Sequence, residues 1–129
     1  MNGIVVGSEA LASGRVSRHQ LRTRFVKVHR NVYAPIGLQL SARDRAYAAW
    51  LWSGREAVLV GSSAAATLGT RWLPADAPAE IARSCHATPP GIIVRGDAIA
   101  DDELCEVGGI PCTTAARTAY DLGRRTPRD

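Results

Sequence analysis

The spacing of apolar positions changes several times along the chain, and each change marks a boundary. Ile4-Val5-Val6 is a short, continuous β-prone run. Ser8 is placed to cap a brief helix through Ser13, with Gly14 to stop it. Ser17 then opens a second helix, and Gln20 three residues on completes a Ser-x-x-Gln capping box. Leu21 is the main apolar anchor of this helix, with Val16 just before it, while Arg18, His19, Arg22 and Arg24 point outward. Phe25-Val26-Lys27-Val28-His29 predicts a strand. Arg30-Asn31 predicts a turn in which Asn tolerates positive φ, and Val32-Tyr33-Ala34 returns as a second strand. A short helix, a three-residue turn, a capped basic helix and a hairpin form the order of a helix-turn-helix with a wing.

Pro35-Ile36-Gly37 then separates residues 1–36 from an Ala-rich remainder, 37–129. Ser41, with Asp44 three residues later, opens a helix to Ser53 that Gly54 ends. Ala42, Ala46, Ala49, Trp50 and Ser53 share one narrow, closely packing face of it. Ala57 to Val60 reads as a buried strand or as the lead-in to a short helix, Ser62 to Leu68, closed by Gly69. Pro74 to Pro78 is a second loop. Glu80 to Arg83 and Ile92 to Arg95 predict strands, and Glu106-Val107 with Ile110 to Cys112 predict a hairpin around Gly108-Gly109. Thr113 or Thr114 caps a last helix, Ala115 to Arg124, in which Arg117 and Asp121 form an i, i+4 helix salt bridge worth a few tenths of a kcal/mol. The fold class is α+β: a winged-helix-like module over 1–36, then a small mixed α/β region over 37–129.

At 129 residues and 46% apolar, the chain is long enough to bury a core without a disulfide or a metal. Cys85, Cys105 and Cys112 contain no CxxC pair and leave an odd thiol under any pairing, so a reduced, cytoplasmic setting is the expectation. The longest apolar stretch, Ala57 to Thr70, is diluted by Gly and Ser and too short to span a bilayer, so no membrane association is expected.

Charge changes the picture more. The net charge is +4, but its distribution is uneven. Between Ala10 and Arg43 lie seven cations (Arg15, Arg18, Arg22, Arg24, Lys27, Arg30, Arg43) and no acid. Asp97, Asp101, Asp102, Glu103 and Glu106 make a later acidic run with no base inside it. The expectation is an electrically two-ended molecule, basic early and acidic late. Guanidinium groups on one side of a helix match phosphate oxygens or the paired acceptors of guanine. Arg18, His19 and Arg22 are the candidate base readers, and Ser17, which opens their helix, belongs to the same candidate DNA-binding set. Arg15, Arg24, Lys27 and Arg30 are the candidate phosphate contacts. The plainer alternative is a solvated basic face.

Other chemistry is sparse. His19, His29 and His86 are scattered, so no zinc site is expected. Cys85-His86 point in different directions on a strand and do not make a nucleophile–base pair. Gly61-Ser62-Ser63 resembles a weak anion cradle, for which helix capping is the simpler account. Asp101-Asp102-Glu103 lacks calcium-loop spacing and reads as a solvated turn. No small-molecule cofactor is implied.

Three stretches carry a resemblance: Val28-His29-Arg30-Asn31-Val32-Tyr33; then Ser62-Ser63-Ala64-Ala65 with Leu68-Gly69; then Ile110 to Leu122, which holds a Pro-x-Thr-x-x-x-Arg-Thr-x-x-Asp-Leu pattern. In this order they resemble an actinobacterial, especially mycobacterial, family whose N-terminal part is similar to the AbiE-type antitoxins of type IV toxin–antitoxin systems. Longer members of that family carry a C-terminal domain resembling very-short-patch-repair endonucleases. The resemblance implies a winged-helix module that binds double-stranded DNA, followed by a mixed α/β antitoxin-like region, with a cognate toxin as a second partner. The nuclease chemistry needs an acid two positions before a lysine. The single lysine here, Lys27, has Phe25 in that place. The chain stops at Asp129, just past the signature, so a truncated remnant of a longer protein is an alternative. The usual first helix of a winged helix is missing before Ile4, and the helix Ser41 to Ser53 is expected to substitute for it. The resulting expectation is a non-enzymatic, antitoxin-like DNA-binding regulator. A protein-interaction module using the late acidic face is the second reading.

Overall fold

The computed structural model describes residues 3–70, 73–74, 76–83 and 88–125; Cys85, His86 and Asp129, named above, lie outside them. Two sheets share one helix. The small sheet holds β1 (Val5–Val6), β2 (Phe25–His29) and β3 (Val32–Pro35) in the order β1-β3-β2, all antiparallel. Between β1 and β2 come α1 (Gly7–Ala12) and α2 (Arg18–Arg24). The large sheet is mixed. It holds β4 (Val58–Leu59), β5 (Ala79–Ala82), β6 (Ile92–Arg95), β7 (Leu104–Val107) and β8 (Ile110–Thr113) in the order β6-β5-β4-β8-β7. β4–β8 and β5–β6 are parallel, and β4–β5 and β7–β8 antiparallel. α3 (Ala42–Trp52), α4 (Gly61–Thr67) and α5 (Ala115–Arg125) pack against this sheet, with α4 touching both of the other helices. The architecture is α+β.

Local signals account for most boundaries. The Ser17 hydroxyl accepts from the Gln20 N–H at 3.1 Å, and the Ser17 N–H donates to the Gln20 side chain at 2.9 Å. Ser41 and Asp44 make the same reciprocal box at the start of α3. Asn31 takes φ 63°, so the two-residue Arg30-Asn31 link closes the hairpin with the left-handed residue its sequence suggests. Gly108 and Gly109 both take positive φ and turn β7 into β8, the two-residue geometry that matches strand twist. Ala57 to Val60 resolves as the strand β4, followed directly by α4.

One expectation is corrected. α3 does not bury a single narrow face. Ala46 and Ala49 enter a core with Ala57, Leu59, Ala64, Ala79, Ile81, Ile92 and Cys112 under the large sheet. Ala48 and Leu51, on the other side of the helix, join Ile4, Val32 and Ala34 under the small sheet. A helix buried on both sides has no apolar stripe to read, and alanines let both layers approach closely. α3 also touches all three strands of the small sheet.

Candidate nucleic-acid interface

The N-terminal unit is tied together by its hairpin tip. The Asn31 carbonyl accepts from the Gly7 N–H at 2.8 Å, and its side-chain oxygen accepts from the Ser8 N–H at 2.9 Å. The side-chain amide in turn donates to the Ser8 hydroxyl at 2.9 Å. Ser8 is therefore not the cap of α1. The first turn is capped in trans by Asn31, and Val6 stands at the N-cap with no side-chain bond. Gly7 admits the Tyr33 ring so closely that a Cβ there would lie 2.7 Å from Cε1. Glu9 of α1 accepts a bidentate pair from Arg55, just past α3, at 2.6 and 2.8 Å. That guanidinium holds the Glu9 carboxyl below its ordinary range.

α2 stands out from this base. It buries no residue; Gln20 and Leu21 are half-buried, and Arg18, His19, Arg22, Thr23 and Arg24 are exposed. At roughly 100° per residue, Arg18, Arg22 and His19 fall within one arc of about 100°, with His19 opposite Leu21 and Arg18 only about 60° from it, whereas Arg24 lies on the far side from Arg22. Arg22 and Arg24 also lie in the last turn, where cations complement the helix dipole. Ser17 is exposed but spends its hydroxyl on the cap. Arg15 is exposed in the turn before α2, Lys27 on the edge strand β2, and Arg30 at the hairpin tip. α2 packs on β2 and runs straight into it, so helix, edge strand and tip are consecutive pieces of one unit.

The decisive feature is pairing. Arg15, Arg18, Arg22, Arg24, Lys27, Arg30 and Arg43 have no carboxylate of the described residues within ion-pair distance. Every described arginine from Arg55 onward has one. Arg55 pairs with Glu9, Arg83 with Glu56, Arg95 with Glu80, and Arg117 with Asp121 and Glu103. Arg124 pairs with Asp97 and Asp121, and Arg125 with Asp97 and Glu80.

The two-ended charge reading is thereby corrected at its acidic end. Asp97 and Glu103 are held by the arginines of α5, which leaves Asp101, Asp102 and Glu106 as the exposed acids of the run. The expected Arg117–Asp121 helix salt bridge forms, but it is buried. Asp121 is 1% exposed and accepts from the Arg117 Nε at 3.1 and 3.2 Å, while Arg117 also reaches the Ala98 carbonyl and Glu103. With the Thr113–Thr118 hydroxyl pair at 2.8 Å and the Thr114 hydroxyl capping α5 through the Arg117 N–H, the 110–122 signature is spent on internal bonds. Gly61-Ser62-Ser63 holds an internal anion. The Glu80 carboxylate accepts from the Ser62 N–H and hydroxyl at 3.2 and 3.1 Å, and faces Arg95 at 3.3 Å. A Cβ on Gly61 would lie 2.5 Å from that carboxylate.

Sequence reasoning missed the lock between Asn31 and α1, because its partners are 23 residues apart. It also missed the exposed apolar pair Val26 (52%) and Ile36 (57%). Ile36 is joined to the end of α2 through the Arg24 carbonyl. Among the described residues no helix is long and apolar enough to cross a membrane, and no three His, Cys, Asp or Glu side chains gather as a metal site. No family model matches the chain, and no curated protein matches it.

Proposed function

We propose that this chain is a non-enzymatic DNA-binding protein, an antitoxin-like transcriptional regulator that presents α2 and the β2–β3 hairpin to duplex DNA. The observation that carries the reading is the contrast in pairing. Six described arginines from Arg55 onward are paired in place, whereas the cations from Arg15 to Arg30 stand exposed, with no ion-pair partner among the described residues, around a capped helix that buries none of its residues. Unpaired cations on a rigid surface repel one another in isolation, and a polyanion relieves that repulsion. The strand order β1-β3-β2, with two helices between β1 and β2 and a hairpin after them, supports a winged-helix arrangement. In it, Arg18, His19 and Arg22 face base edges, and Arg15, Arg24, Lys27 and Arg30 face phosphates.

Fluorescence anisotropy with a labelled duplex tests this at several salt concentrations. Log affinity falls linearly with log salt, and Lys27→Ala reduces that slope by about 1. Arg18→Ala or Arg22→Ala weakens binding by about 1–3 kcal/mol where a base edge is read. Absence of duplex binding at low salt ends the proposal. A cognate toxin belongs to the same reading, and is tested by nuclease-resistant co-purification with the product of the neighbouring gene.

A further inference from the structure

Cys105 and Cys112 are direct cross-strand partners on β7 and β8, separated from the Gly108-Gly109 turn by the two pairs Glu106–Pro111 and Val107–Ile110. Strand side chains alternate, so opposite residues share a face, and their Cα atoms lie about 4.5–5.5 Å apart, inside the range a disulfide spans. Both are free thiols, with their sulfurs 3.4 Å apart. A disulfide needs a separation of about 2.05 Å, so the sulfurs have a little over 1 Å to close. The two thiols differ in access. Cys112 is 0% exposed in the core of the large sheet, whereas Cys105 is half-buried and rests its sulfur 3.8 Å from the Thr113 carbonyl.

We propose that Cys105 and Cys112 form a reversible dithiol–disulfide modification site for low-molecular-weight disulfides. Cys105 is the sulfur that meets the reagent. Its thiolate attacks one sulfur of the small disulfide; a Cys105 mixed disulfide forms, and the first small thiolate leaves. The Cys112 thiol passes its proton to that departing thiolate, and its sulfur attacks the Cys105 sulfur. The mixed S–S bond breaks and the second small thiolate leaves, protonated by the proton that Cys105 gave up to solvent. The two protein thiols are oxidised and one small disulfide is reduced to two thiols. Burial, with Cys105 beside it, pushes the Cys112 thiol up to about 12, which keeps Cys112 protonated until the mixed disulfide stands next to it. The product ties the edge strand β7 to β8, which itself pairs with β4 inside the sheet.

The test uses the full chain with glutathione disulfide as the probe, followed by alkylation, intact mass and a non-reducing peptide map. The expected product has lost two hydrogens, carries no glutathione, links Cys105 to Cys112 and returns to the dithiol with dithiothreitol. Cys85→Ser leaves this result unchanged, and Cys112→Ser traps glutathione on Cys105. Should Cys112→Ser not fold, Cys105→Ser serves instead, and its Cys112 takes up no glutathione. A fully reduced chain, a lasting glutathione adduct on the unaltered protein, or a link through Cys85 overturns the proposal.

Discussion

At the hairpin tip, one asparagine meets four requirements. It takes φ 63°, accepts from two N–H groups of α1 and donates to the Ser8 hydroxyl. Asn31→Ala therefore costs about 1–2 kcal/mol, the scale of a lost N-cap, read as a lower urea midpoint. Asn31→Gly restores the backbone freedom but not the side-chain bonds, and falls between the two. His29, also on this hairpin, is held below its ordinary 6.5 first by burial and then by the charge of Arg45. The unfolded chain thus binds this proton before the folded one does. Stability is lost as pH falls below 6.5 toward the folded value, and is complete above it. Thermal midpoints between pH 7.5 and 5 check this, and His29→Gln flattens that part of the profile. The turn preference of Asn31 was legible in Arg30-Asn31, because positive φ is a property of the residue itself. Its grip on α1 was not, because a side-chain bond to a segment 23 residues away leaves no periodic trace.

At the scale of elements, α2 is the piece most dependent on its own ends. It buries no residue, so little packing compensates for a lost cap. Ser17→Ala removes about 1 kcal/mol of helix stability and weakens duplex binding, while Ser17→Asn recovers both, as a capping role requires. A base-contacting hydroxyl would not be rescued that way. Paired thermal melts and anisotropy titrations separate the two. The boundaries of α2, β2 and β6 could be read directly, since capping boxes and β-branched runs are local signals. α3 could be placed but not oriented. Ala46 and Ala48 look alike in sequence, yet each belongs to a different core. The burial of Asp121 was hidden for a similar reason. Spacing reveals that Arg117 and Asp121 meet, but not that Glu103 and Ala98 close over them.

Across the whole molecule, runs of like charge were visible from the start, whereas neutralisation was not. Which cations remain unsatisfied depends on folding Asp97 against α5 and Glu9 against Arg55, contacts spanning 27 and 46 residues. The basic end persists after that subtraction and the acidic end shrinks. α3 carries one more implication. Because its small sheet-facing residues close the core over Ile4, Val32 and Ala34, the piece proposed to face DNA is not a portable cassette. A peptide of residues 1–36 should show a coil-like far-UV circular dichroism spectrum and no thermal transition. Grafting its arginines onto another protein would transfer their charge but not the footing that aims them.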